Sequence, residues 1–425
     1  MIAAKKKSKI INTILEIAMI CLGLFPLLPN KLKPLPIVIF LLAAMLNIIW
    51  KANEQHQRNN KNLSIWIPVV LSATLILYAV SLVYSEDLKT GFNRLETGAS
   101  LLLAPWIFYF LWNRKSVIIA QYRTMAILYF LSAVAYSMII IAFFWYNGYY
   151  HHLNDLQYNM AYLDGMLPGY SQHAIYASII LSIAFFLIPF FWYSCRFYLY
   201  KILIAVGCAI LAYIILLLFR KGVVIALVLS LITVVFFKFK RIKLKYILLI
   251  VTCTLLMGFY LSETITYRIK ELVNPATYEQ VDVGNSTSVR FAIYSCALTL
   301  IKEQPFIGYG VGDGYKVIAG CLKEKYNIEF THSKHKKNTH NQYLGIVIYT
   351  GFIGLMLLFA QLFLYFKSSI GSGSAILFQL LIFFVLMMLT ENILDRQTGV
   401  LIYALFLNLF FFCSSNKEQN KVALI

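Results

Sequence analysis

Arg220 and Lys221 stand side by side between Phe219 and Gly222, in a stretch that is otherwise apolar and uncharged. Charge is costly in such a setting and calls for a reason. Two reasons are open. One is a tight turn at a membrane face, with the cationic heads snorkelling to water. The other is a phosphate site, because the planar guanidinium of arginine pairs with phosphate oxygens in a bidentate way. Arg290 could supply a second fork. It lies just inside a segment where Val289, Ile293, Ala297, Leu300 and Ile301 recur at helical spacing, after N-cap candidates in 285–288 and before Pro305 and Gly308. The third group is histidine: Thr331-His-Ser-Lys-His-Lys-Lys-Asn-Thr-His340 runs directly into Asn341-Gln-Tyr-Leu-Gly-Ile. Histidine titrates nearest neutral pH, so His340 at a membrane face could take a proton from a hydroxyl nucleophile. Equally, Thr339 or Asn341 could cap the following helix, with His340 merely at its edge. His332 and His335 could join His340 around a metal, but no carboxylate stands at a useful spacing, and no metal or cofactor is expected.

Between these groups lies Pro305-Phe-Ile-Gly-Tyr-Gly-Val-Gly-Asp-Gly314. Alternating glycines let a backbone turn tightly and approach a ligand closely. The spacing is not that of a dinucleotide fingerprint, and no strand-helix unit surrounds it. Gly308-Tyr309-Gly310 shares a tripeptide with potassium filters but lacks the preceding Thr-Val and the two-span pore unit.

The elements that must position these residues are membrane helices. The chain has 425 residues, 60% of them hydrophobic and only 13% charged, with a mean hydropathy of +0.73. An ordinary soluble domain carries about a quarter charged residues. The apolar content suffices for roughly 12 spans at about 20 residues each. Apolar blocks fall near 10–29, 34–50, 65–84, 98–112, 124–145, 174–193, 199–219, 222–237, 245–261, 342–366, 374–390 and 398–413. The expected fold is therefore all-α and polytopic, with about 12 transmembrane helices. Residues 1–261 carry nine of them, 262–341 form one large outer loop containing helices, and 342–425 carry the last three with a tail.

The net charge of +19 raises the question of nucleic acid. Nothing resembles a zinc finger, a helix-turn-helix or an RNA-binding motif, and the basic residues lie mostly between apolar blocks. With the N-terminus cytoplasmic, twenty of the 37 Lys and Arg fall in inner segments and seven in short outer loops, the bias expected of membrane orientation. Both ends are then cytoplasmic. Lys5 to Lys9 followed by an apolar run reads as a retained first span rather than a signal peptide, since no small-residue cleavage site follows.

Weaker signals complete the sequence. Residues 85–97 read either as a short interfacial helix or as a solvated loop. Gln172 and His173 begin the sixth span, where a helix cap is the expected role. Glu391, Asp395 and Arg396 lie in the last outer loop and could pair with one another or touch a sugar. The seven cysteines form no CxxC pair and offer no disulfide framework.

The order Arg220, Arg290, Pro-Phe-Ile-Gly-Tyr-Gly-Val-Gly, His340-Asn341 resembles the O-antigen ligase and polymerase family of bacterial inner membranes. The closest match is His340-Asn341 followed, after nine intervening residues, by Gly351-Phe-Ile-Gly354. The resemblance covers roughly 215–366 by motif and the whole chain by topology. It implies a GT-C-like glycosyltransferase that moves a glycan from undecaprenyl diphosphate to lipid A-core, without a metal, with inversion, on the periplasmic side. Its essential arginines would map to Arg220 and Arg290 and its essential histidine to His340. Lys221 is added on charge alone, and Asn341 as a substrate-binding neighbour. The implied partners are the lipid-linked glycan donor, the lipid A-core acceptor and membrane lipids. A polymerase of the same superfamily is the alternative. A transporter or flippase is a third reading, from the span count, although no two-fold repeat is visible.

Overall fold

The computed structural model describes residues 2–51, 63–146, 169–170, 172–192, 195–218, 220–233, 281, 286–328 and 338–414. Among them every regular element is a helix. In chain order these are α1 Ile2–Gly23, α2 Leu35–Lys51, α3 Trp66–Ser81, α4 Leu88–Gly98, α5 Ser100–Phe110, α6 Lys115–Ala120, α7 Tyr122–Tyr146 and α8 Ala174–Leu187. There follow α9 Pro189–Trp192, α10 Tyr198–Leu217, α11 Lys221–Ile232, α12 Ser286–Glu303, α13 Gly314–Tyr326, α14 Gln342–Ser372, α15 Ala375–Met388 and α16 Gln397–Ser414.

Eleven of the twelve expected apolar blocks coincide with these helices; the ninth, 245–261, lies outside the described residues. Among the described residues, seven helices are long and apolar enough to cross a membrane, or eight if the bent pair Leu88–Phe110 and Trp112–Ala120 counts as one broken span. The count of twelve thus includes elements too short or too charged at one end to qualify alone. α11 and α15 are shorter apolar helices, and α1 begins with a lysine-rich turn.

Helices that are apolar all round must be shielded by others. The apolar window of α16 is 89% buried and that of α8 78%, whereas that of α10 is only 28% buried. α16 is therefore the hub of the bundle and α10 lies on its rim. α16 packs against α5, α14 and α15, while α8 packs against α7 and α10. Ring contacts lock the centre, with Phe190 stacked on Phe410 and Tyr129 edge-on to Phe406. At one end of the bundle, Arg114 ties together α1, α2 and the end of α5 through Ser8 Oγ, Asn12 Oδ1 and Asn47 Oδ1. The polar groups of interest gather at the other end.

The outer segment does not hang free. Asp87 caps α4 by accepting from the Thr90 N–H at 2.9 Å, so residues 85–97 hold a helix rather than a plain loop. Asp313 in turn accepts from the backbone N–H groups of Glu86 and Asp87, at 2.6 and 3.0 Å. The glycine run meets α14 at a break. Gly351 has φ 67° and ψ −168° inside that helix, and the opened backbone bonds to the run. Tyr309 and Gly310 N–H donate to the carbonyls of Ile348 and Tyr349, at 2.8 and 3.0 Å, while Phe352 N–H donates to Pro305 at 2.8 Å. A Cβ on Gly351 would strike the Phe306 carbonyl, and one on Gly308 that of Ile348. The close approach that the glycines allow is thus to another helix, not to a ligand.

The structure also contains a disulfide between Cys296 in α12 and Cys321 in α13. α13 itself was not anticipated, although buried Ile318 and Leu322 give it a helical signature. Alkylation under denaturing, non-reducing conditions is expected to leave Cys296 and Cys321 unmodified while Cys21, Cys195, Cys208 and Cys413 react; mass spectrometry of the tryptic peptides reads this directly.

Candidate active site

The short connection between α15 and α16, residues 389–396, gathers the site. Its position follows from topology: α14 and α15 form an antiparallel pair, so the end of α15 returns beside the start of α14. Glu391 is 4% exposed and Asn392 fully buried. Buried groups of this kind need partners, and theirs come from the segment before α14. Glu391 Oε2 lies 3.4 Å from His340 Nδ1. Asn392 Oδ1 accepts from the Asn341 N–H at 3.0 Å, and its Nδ2 donates to Thr339 Oγ1 at 3.0 Å. The Thr339 hydroxyl in turn donates to the Asn341 carbonyl at 2.6 Å.

His340 is held in a left-handed conformation, φ 47°, which non-glycine residues adopt only under constraint. Its N–H donates to Asn338 Oδ1 at 3.2 Å, and its carbonyl accepts from the Tyr294 hydroxyl at 3.3 Å. With a carboxylate facing Nδ1, that nitrogen carries the proton and Nε2 is left as the acceptor. Asn341 fills the other role that the sequence left open: its Oδ1 caps α14, accepting from Tyr343 and Leu344 N–H at 3.0 and 3.1 Å.

The arginines converge on the same place. Gly222, in the first turn of α11, packs directly against Thr390, and the preceding Arg220 acts electrostatically on His173. Arg290 lies one turn before Tyr294 on α12 and acts electrostatically on both Tyr294 and Glu391. The Arg290 side chain makes no hydrogen bond or ion pair among the described residues. The N-termini of α8, α11, α14 and α16 all open on this end, each adding partial positive charge from its unpaired N–H groups. Burial pushes the Glu391 carboxyl upward, yet His340, His173 and Arg290 outweigh it and hold the group below its ordinary range. Glu391 is therefore an anion inside a cationic rim.

Asp395 and Arg396 do not pair with each other. Asp395 binds Arg94 of α4 at 2.6 Å, with side chains 1% and 9% exposed. Arg94 also donates to the Tyr349 hydroxyl at 2.8 Å, which donates on to Asp395 at 3.1 Å. The guanidinium lies over the rings of Tyr315 and Tyr349, 4.2 and 4.4 Å from their centroids. This buried knot joins α4, α13, α14 and the 389–396 connection.

Residues 206–359 match the O-antigen ligase family. No curated protein matches the chain. The matched segment contains Arg220, Lys221, Arg290, His340 and Asn341, which the fold brings to one end of the bundle. Glu391, the partner of His340, lies outside that matched segment, as do His173 and Arg396. His332 and His335 fall outside the described residues; among the described residues no three His, Cys, Asp or Glu side chains group to hold a metal ion.

Proposed function

We propose that this protein is a GT-C-like glycosyltransferase of the O-antigen ligase type. It moves a preassembled glycan from undecaprenyl diphosphate to a sugar hydroxyl of lipid A-core, with inversion and without a metal ion. The observation that carries the reading is the His340–Glu391 pair set beside Arg220 and Arg290 where helix N-termini converge. In the reaction the acceptor oxygen attacks the anomeric carbon as the bond from that carbon to the diphosphate oxygen breaks. The acceptor proton passes to His340 Nε2, and the electron pair leaves with undecaprenyl diphosphate. Negative charge grows on the leaving group, and fixed cations already in place lower that barrier without reorganising. Arg220 and Arg290 supply the cations, with Lys221 adding charge, and Asn341 fixes the start of α14 under His340.

The inner membrane is the implied location, with both termini cytoplasmic and the site periplasmic. Two observations support that orientation. The lysine-rich start and Arg114 lie at the end opposite the site, as the positive-inside bias requires. The Cys296–Cys321 bond, on the site side, belongs to an oxidising compartment.

The test is a deletion strain. Full-length glycan should accumulate on the lipid carrier and disappear from lipid A-core. Single repeat units stranded on the carrier would instead identify a polymerase, and glycan retained on the cytoplasmic face a flippase.

A further inference from the structure

One histidine and one arginine at the site have no part in the reaction as drawn. His173 immediately precedes α8, and its Nδ1 accepts from the Ile175 N–H at 3.4 Å. That bond fixes the tautomer: Nδ1 is the acceptor, so Nε2 carries the hydrogen and can only donate. The ring remains accessible, with protein walls behind it. Two hydrogen bonds staple this end of α8 to the 389–396 connection and α16. Thr398 Oγ1 donates to Gln172 Oε1 at 3.1 Å, and the Tyr176 hydroxyl donates to the Asn392 carbonyl at 3.3 Å. They hold the residues next to His173 and Arg396 in sequence, and Arg396 lies close enough to act on the His173 ring. The Arg396 side chain is exposed and makes no hydrogen bond or ion pair among the described residues, although Glu391 and Asp395 are close in sequence. Burial, Arg220 and Arg396 together lower the His173 imidazole to about 4 against the opposing pull of Glu391, so the ring stays a neutral donor at physiological pH.

A diphosphate presents two anionic groups, each with several oxygens that can accept from guanidinium forks and ring N–H donors. We infer that His173 and Arg396 form a second anion-binding pair, which holds the second phosphate of the donor lipid while Arg220 and Arg290 hold the first. The pair makes the site select a diphosphate over a monophosphate carrier. This rests on the donor reading above and goes beyond it by assigning the residues that recognise the second phosphate.

The test uses the purified full-length protein and two probes, undecaprenyl diphosphate and undecaprenyl monophosphate, with affinity for each measured by thermal shift. The variants are Arg396→Gln, on an exposed side chain, and His173→Asn, which keeps a cap for α8 but withdraws the donor from the cleft. The wild-type protein should prefer the diphosphate, and each variant should lose about 10-fold or more of that preference while binding the monophosphate nearly as before. In transfer assays the KM for the donor should rise more than kcat falls. If the wild type prefers the diphosphate and both variants keep that preference, the pair has no such role and the donor reading stands. If the wild type binds neither probe, the donor reading and the pair fall together.

Discussion

Replacing His340 by alanine is expected to lower glycan transfer by about 10²–10⁴-fold, the range that a positioned general base supplies. Protein level and melting temperature should hardly move, because the anchors at this position are mostly main-chain: the His340 N–H binds Asn338 and its carbonyl receives the Tyr294 hydroxyl. Surface glycan on gels and transfer with purified lipids both read the outcome, and near-normal glycan would sink the site as drawn. Glu391→Gln should cost less than losing the ring but more than a surface change, because an amide can still touch Nδ1 yet cannot stabilise the imidazolium that forms. The sign of its pH dependence follows from the depressed carboxyl. A group of this kind contributes fully above its ordinary range, and the contribution is lost only as pH falls through the lower, folded value. Mild acid should therefore not reproduce the Glu391→Gln defect through this group.

The second large effect is on stability. Arg94→Met or Asp395→Leu alone is expected to cost about 3–5 kcal/mol, the usual result of leaving one member of a buried ion pair uncompensated. The cost should be at the high end for loss of Arg94, which also abandons two ring faces and the Tyr349 hydroxyl. The double variant should recover much of the loss, since an apolar pair of similar volume demands no partner. Thermal unfolding in detergent, followed by size-exclusion fluorescence, measures all three. Equal and additive losses in the single and double variants would mean that the two residues do not act as a pair.

The membrane architecture was largely legible because lipid imposes one rule on every span: backbone groups must be satisfied internally and apolar runs must be long. The helix at Leu88–Gly98 was half legible. Its spacing was helical, but only the Asp87 cap and its contact with the outer segment decide against a loop. Arg220, Arg290 and His340 announced themselves by type, being cations in apolar stretches and an imidazole at a helix start. The centrality of 389–396 was not legible. Glu391, Asp395 and Arg396 are three neighbours in sequence that serve three different partners, and nothing in their spacing says that Asp395 reaches Arg94 or that Glu391 reaches His340. The disulfide was hidden for the same reason. Cys296 and Cys321 are 25 residues apart, across a glycine turn whose path depends on a break in a helix further along the chain.

The connection 389–396 holds the partner of His340, the anchor of the α14 cap, the acidic half of a buried ion pair and an exposed arginine, each facing a different element. A stretch so fully committed has almost no residue that can drift on its own, and an insertion of one residue would misplace every function at once. On the proposed function, preferences for one glycan or acceptor over another belong to the rim of the cleft. If the protein is the transferase proposed, redirecting it toward a new acceptor sugar is a problem of exchanging rim residues while this connection is left intact.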